Sequence, residues 1–318
     1  MTGSDVRPLA DDVLAARVEL LIRLKAHDYR FVTPTQATHW LVVGRPEMAS
    51  ASNIRGVFGW NLPFEPDVLP DGLLDLMRRA ELVEEWGDQL RSMVRVSSLA
   101  GELFLHSAFP TISDDAVFFG PDTYRFVRLL EAELHGTAPV RTLVDIGSGS
   151  GAGGIVAAKL SKVERLILTD INPRAHDLAR ASAAAAGVEA EFTLGKGLSA
   201  VDGPLDLVVA NPPFIAETDG PTYRAGGDLH GARLSLDWAR EAVAKLSIGG
   251  RMILYTGSAI VGGRDGLREA LQAELSPDRF DFRYDEIDPD IFGSELCKKA
   301  YAGVERIAAV AAVITRRA

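Results

Sequence analysis

Closely spaced glycines at 147, 149 and 151 are the first residues in the chain whose spacing suggests chemistry. They lie in the sequence VDIGSGSG (144–151), directly after a short aliphatic stretch. Because glycine has no side chain, backbone N–H groups in such a loop can approach a ligand closely at the start of a helix. The loop, which includes Ser148, therefore predicts a cradle for a cofactor.

Two acidic residues near this loop indicate which cofactor it holds. Asp145 precedes the first glycine by two residues, and its carboxylate suits the ammonium group of S-adenosylmethionine better than a pyrophosphate. Asp170 ends the second predicted strand, where a carboxylate can accept both ribose hydroxyls, and Ile171 beside it can pack against adenine. With Ala152 the loop also fits the GxGxxA dinucleotide fingerprint, so an NAD-dependent oxidoreductase is an alternative. A non-catalytic cofactor-binding scaffold is another.

The sequence NPPF at 211–214 follows the fourth predicted strand. Two successive prolines offer no N–H donors and fix the loop with its carbonyl groups exposed. A planar NH₂ group can donate its hydrogens to Asn211 Oδ1 and the Pro212 carbonyl, while Phe214 stacks on it. These three residues are the predicted catalytic residues, and Asn211 also lies beside the cofactor. The motif predicts direct in-line methyl transfer to a planar nitrogen, driven by proximity and electrostatic preorganisation.

The elements that position these motifs begin at Arg141, where short aliphatic strands start to alternate with helices. This pattern predicts a parallel sheet with crossover helices. The final two strands have no clear crossover helix between them, which predicts an antiparallel end. The expected fold is α/β, a seven-stranded doubly wound Rossmann-like methyltransferase sheet with an antiparallel last strand. The predicted strands are 142–146, 165–170, 190–194, 206–210, 251–256, 279–284 and 306–314.

The first part of the chain has a different pattern. Helical spacing predicts a helix over 11–27, a second short helix through His39 and Trp40, and a third over 72–86. Alternating apolar and polar residues at 94–109 predict a β-hairpin. We therefore expect a smaller N-terminal α+β domain, residues 1–110, for substrate recognition. Residues 111–318 form the predicted catalytic domain.

Composition narrows the possible partners and locations. The chain has 318 residues, 47% of them hydrophobic, and a net charge of −10, which disfavours broad contact with a nucleic-acid backbone. A protein or small-molecule substrate is favoured. A lone cysteine, Cys297, and the absence of Cys/His clusters predict no metal site and a reducing compartment. No apolar run approaches the roughly 20 residues that span a bilayer. The prediction is a cytoplasmic protein without membrane contact.

Taken together, these motifs resemble those of class I S-adenosylmethionine-dependent methyltransferases acting on planar nitrogen. Among them the chain is most similar, over residues 115–315, to the HemK-type glutamine N5-methyltransferases of translation release factors, whose hallmark is NPPY or a close variant. GPDTY at 120–124 resembles a family segment ahead of the cofactor loop. The resemblance implies that Asp122 and Thr123 bind the cofactor. It also implies a protein glutamine amide as the acceptor, with a translation factor as the candidate partner. The alternative acceptor is an exocyclic amine of RNA or DNA, or a small molecule.

Some segments depart from the family pattern or allow two interpretations. Phe214 stands where the family has tyrosine, which keeps stacking but loses the hydroxyl. The segment GKGL (195–198) has no adjacent carboxylate for the adenine amine, so backbone and apolar contacts are expected there. The length of residues 286–303 and their position between the last two strands allow either a lid or an oligomer contact, and the sequence does not distinguish the two. YRAGGDLHG (223–231) resembles the family segment after NPPY. The functional candidates in it are Tyr223, Asp228 and His230, and each of them also has a purely structural interpretation.

Overall fold

The N-terminal region combines short helices with two hairpins. A computed structural model describes residues 10–216, 226–227 and 229–317 of the chain. The helices in this region are α1 (Asp11–Ala26), α2 (Gln36–Val43), α3 (Ile54–Phe58) and α4 (Leu73–Arg79). The strands are β1 (Val83–Trp86), β2 (Gln89–Ser92), β3 (Val94–Leu99) and β4 (Glu102–Ser107). The predicted hairpin is confirmed, because β3 pairs antiparallel with β4.

The helix predicted over 72–86 is wrong in its second half. The helix ends at Arg79, and Glu81 takes a left-handed conformation with φ of 55°. Val83–Trp86 then pairs antiparallel with Gln89–Ser92. The helical spacing extends only through Leu82, whereas the conformation of the next residues is set by pairing with a later strand. Local spacing does not encode that pairing.

The remainder of the chain alternates strands and helices as expected. Its helices are α5 (Pro121–Leu134), α6 (Ala152–Ser161), α7 (Pro173–Ala185), α8 (Arg233–Lys245) and α9 (Gly266–Glu274). Its strands are β5 (Thr142–Ile146), β6 (Arg165–Asp170), β7 (Glu191–Leu194), β8 (Leu205–Ala210), β9 (Leu246–Val261), β10 (Arg264–Asp265), β11 (Phe280–Asp288) and β12 (Arg306–Arg316). All the predicted strands are present.

The order of strands in the main sheet places the candidate motifs together. Across the described residues the order is β11-β12-β9-β8-β5-β6-β7, with the short β10 paired to β9. Neighbouring strands from β9 to β7 are parallel, and β12 runs antiparallel between β9 and β11. The order in which strands are added to the sheet reverses between β5 and β8: β6 and β7 follow on one side of β5, and β8 and β9 on the other. In such sheets ligands bind at the carboxyl ends of the strands at this reversal, where the glycine loop and NPPF both begin.

Helices cover both faces of the sheet. One face packs against α5, α6 and α7, and the other against α8 and α9. The N-terminal region is fixed to the first face, because Ala175, Leu178 and Ala181 of α7 belong to its hydrophobic core. The backbone N–H of Leu105 also donates to Ser182 Oγ at 3.1 Å. The division of the chain into two domains, residues 1–110 and 111–318, stays a prediction. Within the described ranges, no helix has the length and apolar character needed to cross a membrane.

Candidate cofactor and acceptor site

The glycine loop joins β5 to α6. Gly147, Gly149 and Gly151 have φ values of 66°, 53° and 79°, which favour glycine over other residues. A Cβ atom on Gly147 would lie 2.5 Å from the Trp238 ring, whereas one on Gly149 would have no atom within 4 Å. Gly147 is therefore required by packing. Gly149 borders open space, which lets a ligand approach the backbone.

Asp145 lies beneath this loop at the end of β5. Its side chain is buried, and Oδ2 accepts a 2.7 Å hydrogen bond from the N–H of Gly154. Burial raises the pKa of this carboxyl to about 7, and the nearby negative charge of Asp170 acts in the same direction. A cationic group in the site would stabilise the ionised form and lower this pKa. The position is thus suited to an ammonium group.

Asp170 is oriented by backbone donors on two sides. Its Oδ2 accepts from the N–H of Gly149 at 2.9 Å, and its Oδ1 accepts from the N–H of Asn172 at 2.9 Å. Burial raises the pKa of this carboxyl. Each oxygen has a second acceptor position for a hydroxyl group. The next side chain, Ile171, is 53% exposed and offers an apolar surface beside the carboxylate.

The 195–198 segment lies next to Asp170 at the end of β7. The N–H of Gly195 donates to the Asp170 carbonyl at 3.0 Å. The N–H of Leu198 donates to Glu241 Oε2 at 2.6 Å. The sequence has no carboxylate adjacent to this segment. The fold brings one there from α8, because Glu241 lies 43 residues after Leu198 in the chain. Glu241 orders the segment through its backbone.

The NPPF loop begins where β8 ends, at the same sheet edge as the glycine loop. Asn211 is half-buried and Pro212 is buried. Phe214 is 8% exposed and packs edge-to-face on Phe292, with ring centroids 5.6 Å apart. A Cβ atom on Gly257 would lie 2.4 Å from the Phe214 ring. The ring predicted to stack on the acceptor is therefore largely enclosed by protein.

Asp122 and Thr123 begin α5 and make contacts within the protein. Asp122 Oδ1 accepts from the Tyr255 hydroxyl at 2.7 Å and from Arg125 at 3.4 Å. Burial raises the pKa of the Asp122 carboxyl. Thr123 Oγ1 accepts from the N–H of Gly120 at 3.3 Å and so caps the helix. Contact of either residue with a cofactor stays a prediction.

Part of the segment that follows NPPF lies against its backbone. The N–H of Gly226 donates to the Ile215 carbonyl at 2.8 Å. A Cβ atom on Gly226 would lie 2.7 Å from Phe214 Cα, and one on Gly231 would lie 2.2 Å from the Phe214 carbonyl oxygen. These glycines permit a close approach that other residues would prevent. His230 Nδ1 donates a 3.0 Å hydrogen bond to the Ala300 carbonyl, shortly before β12. The other two candidates, Tyr223 and Asp228, lie outside the described residues.

Known proteins share the part of the chain that holds these motifs. Residues 113–258 match the family described as Methyltransferase small domain, a span that includes the glycine loop, Asp170 and NPPF. Over this span the chain is therefore similar to a methyltransferase domain. The chain is 32% identical over 181 residues to the release factor glutamine methyltransferase of Deinococcus radiodurans, an alignment that covers 53% of this chain and 65% of that relative.

Other proteins that are similar to this chain have different names. Over 72 residues the chain is 39% identical to the ribosomal RNA small subunit methyltransferase C of Serratia proteamaculans, covering 23% of this chain and 21% of the relative. A ribosomal protein L11 methylase from Lactobacillus delbrueckii aligns in structure with a TM-score of 0.40 and 20% identity, covering 61% of this chain and 80% of that one. The chain spans just under two thirds of the length of the release factor glutamine methyltransferase of Deinococcus radiodurans.

Several residues that shape the candidate site were not identified from the sequence. Trp238 and Glu241 on α8 contact the glycine loop and the 195–198 segment, and Phe292 and Tyr301 contact the NPPF loop. Each reaches its motif through tertiary packing, so no local signal marks it. The glycine spacing at 226–231 was an available signal for close backbone contact. Among the described residues, no group of three or more His, Cys, Asp or Glu side chains could hold a metal ion.

Proposed function

We propose that this chain is an S-adenosylmethionine-dependent methyltransferase that transfers a methyl group to a planar nitrogen. The observation that carries the proposal is the meeting of three features at one sheet edge: the open side of Gly149, the oriented carboxylate of Asp170 and the NPPF loop. A nucleoside-binding carboxylate beside a backbone cradle fits the cofactor. The loop rich in acceptors fits an NH₂ group.

The residues present fit this cofactor on their own chemistry. Asp170 has acceptor positions for the ribose hydroxyls, and Ile171 provides an exposed apolar surface for adenine. Asp145 provides a carboxylate for the ammonium group. The Ser148 hydroxyl is buried without a hydrogen-bond partner in the described structure, so it can donate to the cofactor carboxylate. When bound, the cofactor supplies an electrophilic methyl group on a sulfonium.

The protein then has to hold the acceptor nitrogen and exclude water. Asn211 Oδ1 and the Pro212 carbonyl accept the two hydrogens of the NH₂ group, which turns the nitrogen lone pair toward the methyl group. These hydrogen bonds strengthen as the nitrogen becomes pyramidal and positive in the transition state. No strong general base is required, because the proton can leave after the methyl group is transferred.

We propose a protein glutamine amide as the acceptor. The support is the likeness to release factor glutamine methyltransferases and the net charge of −10, which is unfavourable for contact with a nucleic-acid backbone. A translation factor is the corresponding candidate partner. The ribosomal RNA methyltransferase relative favours a base amine of RNA as the second candidate.

Methyl transfer from labelled S-adenosylmethionine to fractionated cell protein, RNA and metabolites tests the proposal. The extract should come from a strain that lacks the gene, so that acceptor sites are unmodified. We expect label in the protein fraction, on a glutamine side chain. Calorimetry with S-adenosylhomocysteine and with NAD separates the oxidoreductase alternative. Binding of NAD without binding of S-adenosylhomocysteine would contradict the proposal.

A further inference from the structure

The segment between β11 and β12 lies directly against the NPPF loop. We call residues 288–303 the acceptor wall. We infer that the acceptor wall positions the NPPF loop and restricts the acceptor to a narrow group such as a side-chain amide, with Phe292 and Tyr301 as positioning residues. This inference rests on the proposed methyltransferase function.

Tyr301 fixes the exit of the NPPF loop. Its side chain is buried, and its hydroxyl accepts a 2.7 Å hydrogen bond from the N–H of Ala216, two residues after Phe214. The ring also stacks on His230, with centroids 6.4 Å apart, while His230 Nδ1 donates to the Ala300 carbonyl. The acceptor wall therefore joins Ala216, directly after the NPPF turn, to His230 further along the chain. Tyr301 thereby holds the backbone that directly follows Phe214.

Phe292 acts on the aromatic residue of the motif itself. Its backbone is left-handed, with φ of 56°, a conformation that costs free energy for a residue with a side chain. This conformation brings its ring to the edge-to-face contact with Phe214. A nucleobase needs an exposed aromatic face to stack on, and Phe214 offers little. A small amide held by Asn211 and Pro212 needs no such face.

The acceptor wall is anchored to the rest of the fold at its beginning. The N–H of Ile291 donates to the Ile307 carbonyl at 2.7 Å. Arg125 forms ion pairs with Asp288 at 3.0 Å and with Asp122 at 3.4 Å, and these pairs connect the acceptor wall to the start of α5. Ile291 also belongs to the same buried cluster as Phe214 and Tyr301. These contacts hold the beginning of the acceptor wall against the rest of the fold.

Tyr301→Phe tests the positioning role, with Tyr284→Phe as the matched control. The Tyr284 hydroxyl also takes part in a 2.7 Å hydrogen bond, but as the donor to Asp265, away from NPPF. We expect Tyr301→Phe to speed hydrogen exchange at residues 214–216 about tenfold and to lower the turnover number by about tenfold on the gene-deletion protein extract. The affinity for S-adenosylhomocysteine should change less than twofold. Equal exchange and turnover in the two variants would overturn the inference.

Phe292→Gly tests the restriction on the acceptor. Glycine accepts the left-handed backbone, so the variant keeps the local conformation while it uncovers the Phe214 ring; Phe292→Leu is a second variant that retains apolar bulk. We expect the ratio of label in RNA to label in protein to rise about fivefold or more. A ratio and a protein rate equal to those of the unmodified chain would overturn the inference. If the unmodified chain binds no S-adenosylhomocysteine, the proposed function fails instead, and the exchange measurement still tests the contact with Tyr301.

Discussion

The Asp170 carboxylate accepts a 2.9 Å hydrogen bond from the backbone N–H of Gly149. This bond joins the end of β6 to the loop after β5, 21 residues earlier in the chain. The two elements proposed to bind the cofactor are thus positioned by each other. Because a carboxylate has about four acceptor positions, the bond leaves Asp170 able to bind a ribose.

Asp170→Asn should weaken cofactor binding while the fold is kept. One oxygen becomes an NH₂ group, which cannot accept from Gly149 or from a ribose hydroxyl. We expect the Kd for S-adenosylhomocysteine to rise at least about tenfold, or about 1.4 kcal/mol, by calorimetry. Asp115→Asn is the control, because the Asp115 carboxylate interacts with Arg174 and Ser113 at an exposed position and not with Gly149. An unchanged Kd in Asp170→Asn would remove this residue from the cofactor site.

Cofactor affinity should depend on pH through Asp145. Burial raises the pKa of this carboxyl from 3.8 to about 7, and an ammonium group binds only the ionised form well. Affinity for S-adenosylhomocysteine should therefore increase about tenfold between pH 6 and pH 8, where the carboxyl loses its proton. Asp145→Asn should remove this dependence. A flat profile in the unmodified chain would show that Asp145 does not face the ammonium group.

The same pKa shift predicts how stability changes with pH when no cofactor is present. The folded state holds the Asp145 proton up to about pH 7, whereas the unfolded state releases it near pH 3.8. Between these values the folded state binds more protons, so the free energy of unfolding falls as the pH rises. Urea unfolding at pH 5 and pH 7 measures this contribution as a difference between the unmodified chain and Asp145→Asn. Equal pH dependence in the two proteins would contradict it.

Gly149→Ala should separate ligand approach from backbone strain. Gly149 and Gly136 have φ values of 53° and 70°, and a Cβ atom on either would have no atom within 4 Å. Each alanine variant should lose about 1 kcal/mol of stability from the left-handed backbone. Only Gly149→Ala should also lose affinity for S-adenosylhomocysteine, by about tenfold or more. If both variants bind the cofactor equally well, the open side of Gly149 does not face it.

The sequence predicted the features that depend on local pattern. Aliphatic strands, the glycine loop and the hairpin around Ala100 each have a signal within a few residues, and the structure contains them. The hairpin of β1 and β2 was missed because Val83–Trp86 directly follows a run with helical spacing, and its strand conformation is set by pairing with a later segment. Glu241 and Phe292 reach the site by packing between distant segments. Such contacts depend on the whole fold, so spacing along the chain does not reveal them.

Asn211→Ala tests the central claim most directly. It removes the side-chain oxygen that is proposed to accept a hydrogen bond from the substrate nitrogen, and it leaves the glycine loop and Asp170 unchanged. The measurement is the rate of labelled methyl transfer to the gene-deletion extract, paired with calorimetry of S-adenosylhomocysteine on the same preparation. We predict a loss of at least about a hundredfold in rate, about 2.7 kcal/mol of transition-state stabilisation, with the Kd within about threefold of the unmodified chain. Transfer at the unmodified rate, or loss of cofactor binding in a folded variant, would contradict the account.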